Sequence, residues 1–342
     1  MKSFDYIVSG KKINCIFDVS FEYISNYASK ENTIIITDDL VWSLFKNKME
    51  GYKVIRFPSG ENFKNQKTVD DIINQLLELQ VSKNCLIVGI GGGVVTDIAG
   101  YVASIYKRGV RLGLIPTTIL GMVDASLGGK NGVDVGMYKN MVGTIYQPDF
   151  ILFDFSFLDS LPVKEWINGF AEIIKHACIK DEAMFTMLEK NNLHEFQSDK
   201  TLIAELIIRN VAIKYEIVIK DEFDNADRRL LNFGHTVGHA IENLYELPHG
   251  HAVSIGIAAA CNLSEKINNL HFSDAKRVVD LLAKYHLPVD MKTDFEKVFQ
   301  VIKLDKKREG DCLHFVMLNK IGSAETRAIE VHQLYELLKN IL

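Results

Sequence analysis

Apolar positions in the first half of the chain come in short, β-branched runs. Thr33-Ile34-Ile35-Ile36-Thr37, Tyr52 to Phe57, Cys85 to Gly89 and Arg111 to Ile115 have the length and composition of strands. Between the second and third run, Val69 to Leu79 repeats its apolar residues at helical spacing. Strand, helix, strand order predicts a parallel sheet with crossover helices. From about Val163 the pattern lengthens, and residues 164–179, 200–219, 234–246, 252–269, 273–285 and 327–340 each carry a 3.6-residue period. Asp154-Phe155-Ser156-Phe157 and Leu161-Pro162 interrupt one pattern before the other begins. The expected organisation is therefore an α/β domain with a parallel sheet over residues 1–158 and a mainly α-helical domain over 159–342. No internal repeat or low-complexity tract is visible.

Length and composition narrow the class of protein. A chain of 342 residues is long enough for two domains, each with its own core. Its 47% hydrophobic and 24% charged residues are globular in proportion, and a formal charge of -5 gives no reason to expect nucleic acid as a partner. Cys15, Cys85, Cys178, Cys261 and Cys312 are scattered without a CxxC pair, as free thiols in a reducing compartment are. The opening stretch MKSFDYIVSGKKINC lacks the pattern of a signal peptide, and the longest apolar run, around Val253 to Leu263, is too short to span a bilayer. The expected location is the cytoplasm, with no membrane partner.

Cys85-Leu86-Ile87-Val88-Gly89 runs through Ile90-Gly91-Gly92-Gly93 into Val94-Val95-Thr96-Asp97, so a strand meets a glycine turn and then a helix start. Such a junction suits a pyrophosphate, because the backbone can approach closely and the first-turn N–H groups attract negative charge. It departs from GxGxxG at Val94, and a tight turn without a ligand reads the same way. Upstream, Thr37-Asp38-Asp39 ends a strand, where a carboxylate can accept hydrogen bonds from a ribose.

His235 and His239 stand four apart, on one helical face, and His249-Gly250-His251 opens the next helical segment. A histidine pair is a plausible metal site only if a carboxylate completes it. Helix 164–179 offers Glu172, Lys175 and His176 on the face opposite its stripe of Trp166, Phe170, Ile173 and Ala177. A solvated polar face is the competing reading. On helix 200–219, Lys214 takes a place in the stripe of Ile207, Val211 and Val218, where an ammonium needs an anion or must reach solvent. Arg108, Lys130, Lys139 and Arg228 sit beside glycines or turns, which suits phosphate or carboxylate recognition.

Taken together, GGGVVTDIAG, RGVR, IPTTILGMVDASLGGKNGV, KNMVGTIYQP, FAEIIKHACIKD, RRLLNFGHTVGHAIE, HGHAVSIG and LDKK resemble, in order and spacing, the 3-dehydroquinate synthases of the sugar phosphate cyclase family. The resemblance covers about residues 37 to 310 and separates the chain from the NAD-dependent, iron-containing alcohol dehydrogenases, which lack GGK and the RxLLN-GH run. It implies an NAD-binding N-terminal domain, one divalent metal, zinc or in some members cobalt, and a homodimer. The metal ligands it implies are Glu172, His235 and His249, with His239 as a neighbouring polar residue. NAD would lie along Asp38, Glu61, Lys64, Gly91, Gly92, Gly93, Val94, Val95, Thr96, Asp97, Thr117, Thr118, Lys130, Lys139 and the turn Phe157, Leu158, Asp159, Ser160. Substrate would be held by Arg108, Asp124, Lys130, Asn140, Lys175, Lys214, Arg228, Asn232, His239 and Lys306 or its neighbour Lys307. In that assignment Lys214 and Arg228 clamp a carboxylate, while Arg108, Lys130, Asn140 and Lys306 face a phosphate.

The implied reaction converts 3-deoxy-D-arabino-heptulosonate 7-phosphate, a small phosphorylated sugar acid, to 3-dehydroquinate and phosphate with transient NAD reduction, a shikimate-pathway step in aromatic amino acid biosynthesis. The alternatives are a paralogous cyclase acting on another sugar phosphate and a non-catalytic NAD- or metal-binding protein. Against the family pattern, His251 replaces the usual glutamate after His249-Gly250, Phe223 and Asp224 stand where arginine and glutamate are common, Leu40 replaces a frequent asparagine, and Asn131 a threonine. None of these removes an implied ligand.

Overall fold

The computed structural model describes residues 1–342 except Met137, Asn225, 304–307 and Gly310. The chain forms two compact units, Met1–Pro162 with Lys214–Glu222, and Val163–Ile213 with Phe223–Leu342.

The first unit carries β1 (Lys2–Val8), β2 (Lys11–Phe17), β3 (Thr33–Asp38), α1 (Asp39–Phe45), β4 (Lys53–Phe57), α2 (Gln66–Glu78), β5 (Leu86–Gly91), α3 (Gly93–Ile105), β6 (Arg111–Pro116), β7 (Lys130–Val135), β8 (Tyr138–Ile145) and β9 (Phe150–Phe153). Seven strands form one sheet in the order β1-β2-β9-β6-β5-β3-β4, parallel throughout except for the β1/β2 hairpin at the edge. The inner strands are buried on both faces, β5 and β9 along their whole length, which explains why they read as continuous apolar runs rather than alternating ones. Ile35, Val88, Ile90, Ile115, Leu152 and Phe157 belong to the core cluster on this sheet. Strand β1 is mostly exposed, with Val8 its only buried residue, and so it carries little apolar signal in the sequence.

The order in which the strands are visited reverses direction between β3 and β5. From β3 the chain passes to β4 at one edge, whereas from β5 it passes to β6 and then β9 on the other side. Strands β3 and β5 are neighbours, with Ile36 opposite Gly89 and Thr37 opposite Ile90, so their carboxyl ends form a topological switch point. The Thr37 hydroxyl donates to the Ile90 carbonyl at 2.7 Å and ties the two ends together.

The second unit carries α4 (Val163–Lys180), α5 (Glu182–Lys190), α6 (Leu193–Ser198), α8 (His235–Tyr245), α9 (His249–Ile267), α10 (Phe272–Lys284), α11 (Phe295–Lys303), β10 (Arg308–Glu309), β11 (Cys312–Lys320), β12 (Ser323–Glu330) and α12 (Val331–Leu338). Helix α7 (Lys200–Lys220) begins here, and its last turns, from Lys214, belong to the first unit. One expectation needs correction, and one open alternative is decided. The helix expected over 327–340 is strand β12 as far as Glu330 and helix α12 only from Val331. Leu313 pairs with Ile329 and Phe315 with Arg327, and this ladder captures the backbone that the apolar spacing assigned to a helical turn. The polar face of α4 is not solvated either: every residue from Gly169 to Ile179 is buried, including Glu172, Lys175 and His176. Among the described residues, no helix is long and apolar enough to cross a membrane.

Candidate metal centre and cofactor edge

Helix α4 buries Glu172 completely, and its two oxygens have different neighbours. Oε2 pairs with the ammonium of Lys175, one turn along the same helix and only 1% exposed. Oε1 lies 3.4 Å from His235 Nε2 and 3.2 Å from His249 Nε2. Both histidines occupy the first position of a helix. Gly234, in the left-handed conformation at φ 79°, turns the chain into α8, and Pro248 precedes His249 at the start of α9. The first turn of α9 is fixed to α4 by Asn168, whose Oδ1 accepts from Gly250 N at 2.6 Å. Asn168 thus fills one of the donor vacancies of a helix start, and it does so one turn before Glu172 on the same helix.

Each of these two histidines is also held at its other nitrogen. His235 Nδ1 is 3.1 Å from the Phe233 carbonyl, and His249 Nδ1 is 3.3 Å from Glu242 Oε2. With an acceptor at Nδ1, each ring in its neutral form would carry its proton there and leave the Nε2 lone pair for a metal. Burial alone would push the His249 ring toward neutrality, but the Glu172 and Glu242 carboxylates prevail and raise its pKa to about 10. Burial likewise opposes ionisation of Glu172, yet Lys175, His235 and His249 hold its pKa well below the usual carboxylate range.

Donor atoms from Glu172, His235 and His249 all lie within 4.8 Å of one another. Two imidazoles and one carboxylate form a donor set suited to a catalytic divalent metal, with a coordination position left for substrate or water. His239, Glu242 and His249 form an overlapping group by the same measure, and the His239 ring lies 4.9 Å from that of His235. In the sequence, Glu242 stands only at the end of a motif. Its position seven residues after His235 places it on the same helical face as His235 and His239, the signal that could have found it. Asn168 has no such signal, because its partner is a backbone group distant in sequence. His251 belongs to none of these donor groups, and burial lowers its pKa.

In the first unit, the segments the resemblance assigns to NAD gather along the carboxyl ends of the parallel strands. Asp38 ends β3 and caps α1 by accepting from Val41 N at 2.8 Å. The turn Glu61–Phe63 follows β4, Gly91 ends β5, Thr117 and Thr118 follow β6, and the turn Phe155–Ser160, which contains Phe157, Leu158, Asp159 and Ser160, follows β9. Gly91 is held by Thr117, whose N–H donates to its carbonyl at 3.0 Å, and a Cβ at Gly91 would collide with the Val95 side chain. Gly92, Gly93, Val94, Val95, Thr96 and Asp97 form the cap and first turn of α3, whose free N–H groups suit a phosphate.

Lys64 crosses this edge. Its ammonium, almost fully buried, meets Asp97 Oδ2 at 2.6 Å and Asn140 Oδ1 at 2.6 Å. Burial works against the charge, but Asp97 and Glu61 overcome it and raise the Lys64 pKa. Lys130 opens β7, and Lys139 and Asn140 lie near the start of β8, with Asn140 at φ 55°. Arg108 is exposed beside Gly109. Lys214 neither reaches solvent nor stays unmatched: it is 6% exposed and meets the Asp124 carboxylate and carbonyl at 2.6 Å each. Arg228, 3% exposed, and Asn232 lie in the turn Asp227–Asn232 of the second unit. Lys306 and Lys307 lie outside the described residues. Among the departures from the family pattern, Asn131 is buried and donates to the carbonyls of Gly129 and Tyr146 at 2.7 and 3.1 Å, and it fills the space a side chain on Gly100 would need.

Comparison with known proteins supplies the context. Residues 54–168 match the family model of the 3-dehydroquinate synthase N-terminal domain, and residues 169–308 that of the C-terminal domain. The 3-dehydroquinate synthase of Pyrococcus abyssi is 37% identical over 315 residues, 90% of this chain and 92% of its own length. That of Campylobacter curvus is 38% identical over 90% of this chain and 91% of its own. Among solved structures, 2-epi-5-epi-valiolone synthase from Streptomyces hygroscopicus, with NAD+ and Zn2+ bound, superposes at a TM-score of 0.87 with 26% identity, covering 100% of this chain and 98% of that one. A probable glycerol dehydrogenase from Sinorhizobium meliloti shares the fold at a TM-score of 0.69 and 13% identity, over 96% of this chain and 95% of its own. By both family models and by relatives at 37–38% identity over most of its length, the chain belongs to the 3-dehydroquinate synthase family.

Proposed function

We propose that this chain converts 3-deoxy-D-arabino-heptulosonate 7-phosphate to 3-dehydroquinate and phosphate, using NAD and one divalent metal. The observation that carries the reading is the convergence of His235 Nε2 and His249 Nε2 on Glu172 Oε1 in a chain of this family. When bound, the metal makes a substrate hydroxyl more acidic and NAD accepts and then returns a hydride, so the cofactor is recycled.

The chain's own residues supply the rest. Glu172, His235 and His249 hold the metal, and the Lys175 ammonium occupies the Glu172 oxygen turned away from the histidines. The carboxyl edge of the parallel sheet, from Asp38 through Lys64, the Gly91 to Asp97 turn, Thr117, Thr118 and Lys139 to Phe157, Leu158, Asp159 and Ser160, receives NAD. Lys214 and Arg228 receive the substrate carboxylate, Arg108, Lys130, Asn140 and Lys306 its phosphate, and Asp124, Asn232 and His239 its hydroxyls. Fixing the substrate at both ends restricts the conformations from which it reacts. The basic group at the phosphate stabilises negative charge as phosphate departs with the proton of the neighbouring carbon. A homodimer in the cytoplasm belongs to the same reading.

The test is release of phosphate and 3-dehydroquinate by purified protein supplied with NAD and zinc. Turnover of the heptulosonate phosphate is expected, and it should cease after metal chelation and return with zinc or cobalt. Turnover only of neutral sugar phosphates would instead identify a paralogous cyclase. Arg228→Ala separates the two readings: kcat/KM for the carboxylate substrate should fall roughly 10- to 100-fold, as for loss of one charge-assisted hydrogen bond, and an unchanged value would exclude the clamp.

A further inference from the structure

We infer that Glu242 is a positioning residue for the metal, acting through His249; the inference rests on Glu172, His235 and His249 being the metal's ligands. The two candidate ligand histidines are held differently at Nδ1. His235 faces a neutral backbone carbonyl, that of Phe233, whereas His249 faces the carboxylate of Glu242 at 3.3 Å. Glu242 is itself only 7% exposed, so this negative charge is kept out of water beside the histidine.

The arrangement has two consequences. An acceptor at Nδ1 fixes the ring tautomer and leaves Nε2, 3.2 Å from Glu172 Oε1, as the lone-pair donor. A charged acceptor also makes the imidazole a stronger donor to a cation than the carbonyl on His235 does, and it adds a negative charge close to the site. His249 lies just after Pro248, at the very start of α9, where the preceding segment supplies no helical turn to brace its ring. The hydrogen bond from α8 supplies that restraint.

The experiment measures zinc affinity of the full chain by competition with a chromogenic chelator, for wild type, Glu242→Gln and Glu242→Ala, together with the visible spectrum of each cobalt-loaded protein. Glu242→Gln keeps an acceptor for Nδ1 but loses the charge, so about a tenfold loss of affinity and a near-native cobalt spectrum are expected. Glu242→Ala loses both, and roughly a 100-fold loss with a shifted spectrum is expected. Thermal unfolding of the metal-depleted proteins separates this role from a structural one, since a positioning role predicts a loss of zinc affinity that exceeds the destabilisation of the metal-free fold and is graded from Glu242→Gln to Glu242→Ala. Wild-type zinc affinity in both variants would overturn the inference, as would equal losses and equal destabilisation of the metal-free fold in both. Failure of the wild type to bind zinc or cobalt would instead overturn the metal-site reading itself.

Discussion

Glu172 lies wholly inside α4 and stays ionised because Lys175, His235 and His249 surround it. Its replacement therefore acts on stability and on chemistry together. Glu172→Gln keeps the volume but removes the carboxylate that pairs with the buried Lys175 ammonium, so a loss of about 3–5 kcal/mol in denaturant unfolding is expected, along with loss of bound metal by elemental analysis. Unchanged unfolding would show that Lys175 finds another anion. Lys64 is the corresponding residue on the edge proposed to receive NAD, held between Asp97 and Asn140. Lys64→Ala should weaken NAD binding roughly 10- to 100-fold, the equivalent of one charge-assisted contact, as read by NADH fluorescence; unchanged affinity would remove Lys64 from that edge. Sequence spacing alone points to His235 with His239, because an i,i+4 pair is visible within one helix. That Glu172 faces His235 and His249 depends on how three helices pack, which no periodic pattern encodes, and the family resemblance supplies it. Glu242 is visible in the same motif, and its spacing puts it on the face of His235 and His239, but its partner His249 is on the next helix, which spacing within one helix does not reveal.

At the scale of elements, α8 and α9 are brought close by residues without side chains. A Cβ on Gly256 would collide with the Gly234 carbonyl, and one on Gly238 would press on the α9 backbone at Ala252, 3.0 Å from its carbonyl. The two histidines begin these same helices, so their separation follows from this packing. Gly256→Ala is expected to destabilise the fold by about 1–3 kcal/mol and to weaken zinc binding although it touches neither ligand. Native zinc affinity in a destabilised variant would show that the helix starts are held independently, by Asn168 and Gly234. The inner strands and long helices are legible because burial on both faces or along one stripe leaves a clear apolar period. What stays hidden has weaker signals: the exposed edge strand β1, the β7/β8 hairpin with Tyr138, Met141 and Val142 exposed, and the β11/β12 ladder. Ile329, Leu334 and Leu338 are all buried, but the first is in a strand and the others in a helix, which is why one apolar spacing reads as a single helix.

For the whole molecule, the proposed reaction takes hydride from the substrate and returns it within one turnover, so that the cofactor is never consumed. The open sheet provides a switch point between β3 and β5, and the helical unit provides the Glu172, His235 and His249 donors. Related folds serve dehydrogenases as well as cyclases, so the fold leaves the fate of the hydride open. The most direct measurement follows phosphate release and NADH absorbance in the same cuvette, with the heptulosonate phosphate, catalytic NAD and zinc. Many phosphates released per NAD with no net NADH, and none after chelation, are expected. NADH accumulating in proportion to substrate consumed, or phosphate release undiminished by chelation, would contradict the proposed reaction.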